Sequence, residues 1–472
     1  MKKRILAGLL VAMMTLALLV ACRGDADNDN DTPEVPATEE AAEEPADEPA
    51  DEPADEPEED DADENGDEEV ETLPADVGDE SDPASIVGEF TYWTYTDMAQ
   101  NVVDAFNEKF PNITVDLQIF GGDEYPTRIL TAMQAGGANM PDVFDLEEGH
   151  MYNFLDSDAI LDLSTVLDIE DLVGDWFPYQ RAAMRDSQGR YKALTFQSSP
   201  VALWYLRDAA EEHLGTSDAA EISAMINNWD EMLELAQQVY ENSNGEVFLW
   251  PNAIEIVKVE ALGNPEFIQD GRLVIADEWI ELINTMRRLE ESPYVAGLGS
   301  WSSEWATAWN NGELIFRVMP SWDFFTDWEN NDGNVGVAAP PKGGFEGNTG
   351  VAIYANSPNI DVGVLFLEFI ASDEFQRINL ERHNQVPASE RVTLEMAAGF
   401  SAPAFGGQNI IATYAEIAAM IPEVTPTRYT RSLINMFQGV ANNGVRNGES
   451  NEEILAEFRD RVADAWPDVI ID

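Results

Sequence analysis

The chain has 472 residues and carries 91 Asp and Glu against 25 Lys and Arg, a formal net charge of −66. A charge balance that negative argues against nucleic acid or anionic lipid as a partner. The single cysteine, Cys22, excludes an intramolecular disulfide and a thiolate zinc site, and the length leaves room for two lobes with cores of their own.

Lys2, Lys3 and Arg4 form a positive start, and Ile5 to Val20 is an uncharged apolar run. The run is short of the about 20 residues that span a bilayer, and its flanks are those of a secretory signal. It ends in Leu19-Val20-Ala21-Cys22, which looks like a lipobox, where cleavage precedes a cysteine that takes a diacylglycerol. The expectation is a signal peptide over 1–21 and a lipid anchor at Cys22, holding the protein at the extracellular face of the bacterial cytoplasmic membrane. Residues 22–83 then read as a tether. Glu44-Pro45-Ala46-Asp47 is repeated twice more, and about 29 acids with no Lys or Arg lie between Asp25 and Pro83. Such a composition buries no core, and proline and like charge keep it extended. A neutral flexible chain of about 60 residues would span roughly 45 Å, and this one reaches further. The remainder still sets about 62 acids against about 21 bases, a surface suited to salt, where screening relieves self-repulsion.

From residue 84 onward, strand-like and helix-like stretches alternate, which predicts an α/β fold. Glu89 to Trp93 is a short β-rich run. Ala99 to Lys109 places Val102, Val103, Phe106 and Phe110 at helical spacing, until Pro111-Asn112 breaks it. Ile113 to Leu117 alternates as a second strand, Tyr125 to Gln134 is helical, and Pro141 to Leu146 is a third strand. Asn228-Trp229-Asp230-Glu231 marks a helix start with acids where the helix dipole favours them. Phe366 to Ile370, Phe375 to Leu380 and Glu452 to Ala465 are amphipathic helix.

Several runs resemble, in order, the landmarks of the family-1 extracellular solute-binding proteins, the maltose-binding-protein-like group. Phe106 to Val115 is similar to its F-P-x-I-x-V opening, and Ala132 to Val143 to its A-x-x-x-G-x-x-P-D-V segment. Gln188 to Leu194, Leu203 to Asp208, Asn228 to Leu233, Asn311 to Trp322, Val335 to Gly343 and Val386 to Ser389 follow in the family's sequence. Each motif is weak by itself, but they run in register over nearly all of residues 89 to 460. The resemblance implies a two-lobed fold of the periplasmic-binding-protein type, each lobe a sheet flanked by helices. It puts one lobe at 84–197 and 335–385 and the other at 198–334 and 386–472. The chain would cross near Phe196 to Pro200, near Asn334 to Gly336 and near Val386, forming a hinge that closes on ligand. It further implies an ABC importer, with permease subunits as membrane partners.

A saccharide site needs flat aromatic faces and groups that bond hydroxyls. Ligands in open α/β sheets sit beyond the carboxyl ends of strands, which nominates Trp93, Tyr95, Glu147 and Glu148. Trp204 and Tyr205 follow the first crossing, and Trp250 and Trp301 occupy loop-like positions. Trp322 and Asp323 end a motif that often supplies a stacking tryptophan in the family, and Arg428 and Tyr429 lie near its last aromatic contact. Trp176, Trp229, Trp279, Trp305, Trp309, Trp328 and Trp466 read as core.

Catalysis finds little support. His150, His213 and His383 are the only histidines, and no Gly-x-Ser-x-Gly, His-Glu-x-x-His or P-loop pattern accompanies them. No catalytic residue, metal or cofactor is expected. The expected function is binding of a sugar or oligosaccharide by a monomer that delivers it to permeases. A non-sugar solute such as a polyamine, or a surface sensor that presents ligand to a membrane kinase, stays open beside it.

Overall fold

In the computed structural model, residues 82–137, 139–325 and 333–471 are described. The leader, Cys22, the tether up to residue 81 and Trp328 lie outside them. Among the described residues no helix is long and apolar enough to cross a membrane.

The strands in chain order are β1 (Gly88–Thr94), β2 (Ile113–Ile119), β3 (Val143–Glu147), β4 (Val201–Leu206), β5 (Ile268–Gln269), β6 (Arg272–Leu273), β7 (Phe316–Pro320), β8 (Val335–Ala338) and β9 (Thr349–Ile353). One sheet has the order β2-β1-β3-β9, with β1 parallel to both neighbours and β9 antiparallel to β3. Alternation along β1 turns Phe90, Tyr92 and Thr94 inward. The helix Met98–Lys109 buries Val102, Val103 and Phe106 against that sheet, and Phe90 and Phe106 meet edge to face at 6.2 Å. The opening βαβαβ thus forms where the apolar spacing changes from two to about 3.6 residues.

The second sheet has the order β7-β4-β8, antiparallel throughout. Helices cover it, among them Trp229–Asn242, whose N-cap Asn228 accepts from the Glu231 amide at 2.9 Å. Thr430–Asn447 and Asn451–Ala465 close the lobe, with Leu433, Phe437, Phe458 and Val462 in its core.

Each sheet has its own apolar core. One draws on Ile86 to Phe196 and Val351 to Ala388, the other on Val201 to Ala339 and Leu380 to Val469. Two connections pair side by side at the junction: Ser198 bridges Val386, and Pro200 bridges Phe345. Phe196 to Pro200 and Val386 lie at this junction. The middle expected crossing does not fall at Asn334 to Gly336, because Val335–Ala338 is a strand of the second sheet, hydrogen-bonded along β4. The chain returns to the first sheet after Ala338, through the segment that holds Phe345 and Asn348, and enters it at Thr349.

Candidate functional site

A cavity of about 370 Å³ opens between the two sheets' lobes, within the usual range for small-molecule sites. Glu147 ends β3, and Glu148 starts the short helix Glu148–Met151, so both stand beyond the carboxyl end of a parallel strand. The opposite wall comes from the helix Thr430–Asn447. Arg431, Ile434, Asn435 and Gln438 line the cavity from it at spacings of three, four and seven, one face of a helix. Lys258, Phe345, Glu346, Gly347 and Trp322 also line it. An adjoining cavity of about 370 Å³ shares Lys258, Glu346 and Gln438 and reaches Trp301, Asn442 and Arg446.

Two indoles flank this cleft. Trp301 and Trp322 lie parallel, with planes 6° apart and centroids 6.4 Å apart. The Trp322 Nε1 donates to the Glu346 carbonyl at 2.8 Å. Gly347 makes that approach possible: its φ is +73, and a Cβ there would stand 2.5 Å from Trp322 Nε1. Trp301 has a φ of 65 and is 51% exposed. Left-handed backbone at a bulky residue costs on the order of 1–3 kcal/mol, and little burial of the ring offsets it. Lys258 Nζ stands 5.6 Å from the Trp301 ring centroid.

The charged groups lining the cleft are interlocked, and Glu148 and the nearby Glu255 are buried. Arg431 Nη2 donates to Glu148 Oε2, joining the two lobes across the cleft, and the Gly347 amide reaches the same oxygen at 3.4 Å. Burial raises the Glu148 carboxyl above the usual range, and the Arg431 guanidinium opposes the rise. Lys258 Nζ lies 3.3 Å from Glu346 Oε2 and 3.7 Å from Glu255 Oε2. Burial likewise raises Glu255, with Lys258 opposing. Beneath the first lobe's wall, Asp145 accepts from Tyr92 Oη at 2.6 Å and from Thr94 Oγ1 at 2.5 Å. Burial pushes its pKa up to about 7. Among the described residues, no group of three His, Cys, Asp or Glu could hold a metal ion.

Of the residues nominated from sequence, the cleft brings together Glu147, Glu148, Trp301 and Trp322. The others stand elsewhere. Trp204 and Tyr205 are in β4, the central strand of its sheet, and are 2% and 0% exposed. Trp204 Nε1 donates to Tyr414 Oη at 2.8 Å, and Tyr205 Oη donates to the Ser217 carbonyl at 2.8 Å. Trp250 is wholly buried against Trp229 and donates to the Asn252 carbonyl at 2.7 Å. Asp323 is buried. Trp93 packs on Phe120 and lines a separate groove with Glu124 and Arg128. Tyr95 Oη bonds Thr349 Oγ1 at 2.6 Å, and its ring leans on Tyr125. Arg428 stacks over Tyr429 at 4.7 Å and pairs with Asp468 at 3.6 Å, on the approach to the helix that carries Arg431. Trp176, Trp229, Trp279, Trp305 and Trp309 are buried, and Trp466 packs partly buried against the second core.

Lys258, Glu346, Arg431, Asn435 and Gln438 were not nominated. The helical spacing of Arg431, Ile434, Asn435 and Gln438 was the available signal. Nothing local marks Lys258 or Glu346, which meet the cleft through the tertiary fold.

Solved structures share this architecture. A crystal structure of an extracellular solute-binding protein of family 1 superposes with a TM-score of 0.68 at 16% identity, over 80% of this chain and 99% of that one. The sugar-binding protein MalE from Xanthomonas citri gives 0.64 at 18% identity, over 80% and 96%. The galacto-N-biose/lacto-N-biose I-binding protein of an ABC transporter from Bifidobacterium longum, in complex with lacto-N-biose, gives 0.62 at 16%, over 82% and 99%. At such identities the likeness carries the fold, a two-lobed α/β binding-protein architecture. No curated protein matches the chain in sequence. The family model for bacterial extracellular solute-binding proteins matches residues 92–377, and the chain belongs to that family.

Proposed function

We propose that this protein binds a saccharide in the interlobe cleft and delivers it to the permeases of an ABC importer, as a monomer anchored outside the membrane through Cys22. The observation that carries the reading is the parallel pair Trp301 and Trp322 beside polar groups from both lobes. Indole faces cover the apolar face of a pyranose, and Arg431, Asn435, Gln438 and the glutamates bond its hydroxyls. The lacto-N-biose complex of a structural neighbour supports the same ligand class. The family's role is binding, and the cleft's side chains suit holding a solute without transforming it. Glu147, Glu148, Trp301 and Trp322 are the ligand contacts retained from sequence, joined by Lys258, Glu346 and Arg431.

Melting of the full chain against monosaccharides, oligosaccharides and polyamines tests this, since a native-state ligand at 100 times its Kd adds about 2.7 kcal/mol. A saturable rise with one saccharide class supports the reading, and no rise with any saccharide overturns it. For the anchor, radiolabelled palmitate should enter the chain in cells and fail to enter Cys22→Ser. Equal labelling of both would overturn attachment at Cys22.

A further inference from the structure

The cleft holds more carboxylate than its ion pairs engage. Glu147, Glu148 and Glu346 line it, and Glu255 stands behind Lys258, while Lys258 and Arg431 are the cations set among them. Arg431 is committed to Glu148 Oε2. Lys258 lies near Glu255 and Glu346 at ion-pair distance, yet its Nζ makes no aligned hydrogen bond to either. Glu148 Oε1, Glu255 Oε2 and Glu346 Oε2 are all buried with no hydrogen-bond partner. Glu148 and Glu255 are 0% exposed, unlike the many acids that face water elsewhere on this chain.

Buried polar atoms in folded proteins are nearly always bonded. Glu148 Oε1 therefore marks a missing donor, and Glu346 Oε2 and Glu255 Oε2 share a single unaligned cation, Lys258, so the carboxylates around the cleft outnumber the donors that reach them. Burial raises both Glu148 and Glu255, a cost that an arriving cation offsets. A metal ion is a poor candidate, since no three such ligands converge among the described residues. An ammonium brings three donors and one charge. The open donor Arg431 Nε suits a hydroxyl oxygen of the same solute.

We propose that the solute carries a protonated primary amine, held by Glu148 and Glu346 with Glu147 at the cleft wall. Resting on the saccharide reading above, the ligand is then an amino sugar whose nitrogen is not acylated. The aromatic pair takes the sugar ring and the glutamates take its ammonium. Electrostatic complementarity of this kind discriminates between partners of equal shape.

Calorimetric titration of the full chain tests it, with glucosamine, galactosamine and their disaccharides, the N-acetylated and neutral counterparts, and spermidine. The amino sugars are expected to bind at least tenfold tighter than matched neutral sugars. Glu346→Gln, where the side chain is 30% exposed, should narrow that ratio at least threefold; Glu148→Gln should do the same if it folds. Neutral sugars binding as tightly as amino sugars would overturn the amine and leave the saccharide reading standing. Spermidine binding with no saccharide response would support the amine and overturn the saccharide. No response to any of these probes would overturn both.

Discussion

Arg431, on the helix Thr430–Asn447 of the second lobe, donates to Glu148, which opens the short helix just past β3 in the first. The pair is a direct charged link across the cleft, with side chains 20% and 1% exposed. Removing one partner of such a buried pair strands the other's charge, at about 3–5 kcal/mol when burial is complete. Allowing for the partial exposure of Arg431, Arg431→Gln and Glu148→Gln should each cost about 2–3 kcal/mol. The double variant should cost clearly less than the sum, which denaturant melts in a double-mutant cycle will show. Additive losses would mean the two side chains act independently.

Trp301 and Trp322 are expected to contribute to affinity rather than to stability. Trp322→Ala should weaken ligand binding roughly 10- to 100-fold, the loss of a well-packed aromatic anchor. Trp301→Ala should weaken binding less, and because it relieves a left-handed backbone only in part, its melting temperature should stay near that of the parent. Titration calorimetry and thermal melts on the same samples separate the two effects.

Trp204 and Trp250 should behave in the opposite way. Both are buried and bonded within the second core. Truncation to Ala should cost about 3–5 kcal/mol while the folded fraction keeps its ligand affinity. A variant that lost affinity without losing stability would return these residues to the cleft.

Asp145 predicts a pH dependence of stability. Its carboxyl titrates at about 7 in the folded chain against 3.8 for an unperturbed one. Between those values the folded state holds a proton that the unfolded state has released, so stability falls as pH rises from about 4 to 7. The loss reaches roughly 4 kcal/mol, at about 1.4 kcal/mol per pH unit. Asp145→Asn removes this contribution. Its melting temperature relative to the parent should therefore climb between pH 5 and pH 8. Glu148, Glu255 and Glu266 are raised in the same direction, but they are common to both proteins and cancel in the difference. A flat difference across that range would contradict the assignment.

The acid excess carries its own expectation. With 91 acids against 25 bases, self-repulsion should weaken as salt rises. The melting temperature should increase between low and molar NaCl; an unchanged value would remove the case for adaptation to salt.

Local pattern made the first lobe legible. The helix Tyr125–Gln134 and the strands around it stand where spacing and breakers put them, and the rule about strand ends found Glu147 and Glu148. The second lobe was harder to read. Every residue of β4 is buried, so alternation does not tell an inward tryptophan from one facing ligand, and Trp204, open to both readings from sequence, lies in the core. Val335–Ala338 pairs with a strand about 130 residues earlier, a partnership no local signal reveals, and the chain leaves that sheet after Ala338 rather than at Asn334 to Gly336. Lys258 and Glu346 reach the cleft through the same kind of long-range packing. A motif points to Trp322 and a loop-like position points to Trp301, and both line the cleft.

The central claim is that solute binds between the lobes against Trp322. Intrinsic tryptophan emission of the full chain, titrated with the best ligand from the saccharide and amine panel, tests it most directly. A saturable change that persists in Trp93→Ala and disappears in Trp322→Ala is the predicted result. The same change surviving intact in Trp322→Ala would contradict it and move the binding site away from this cleft.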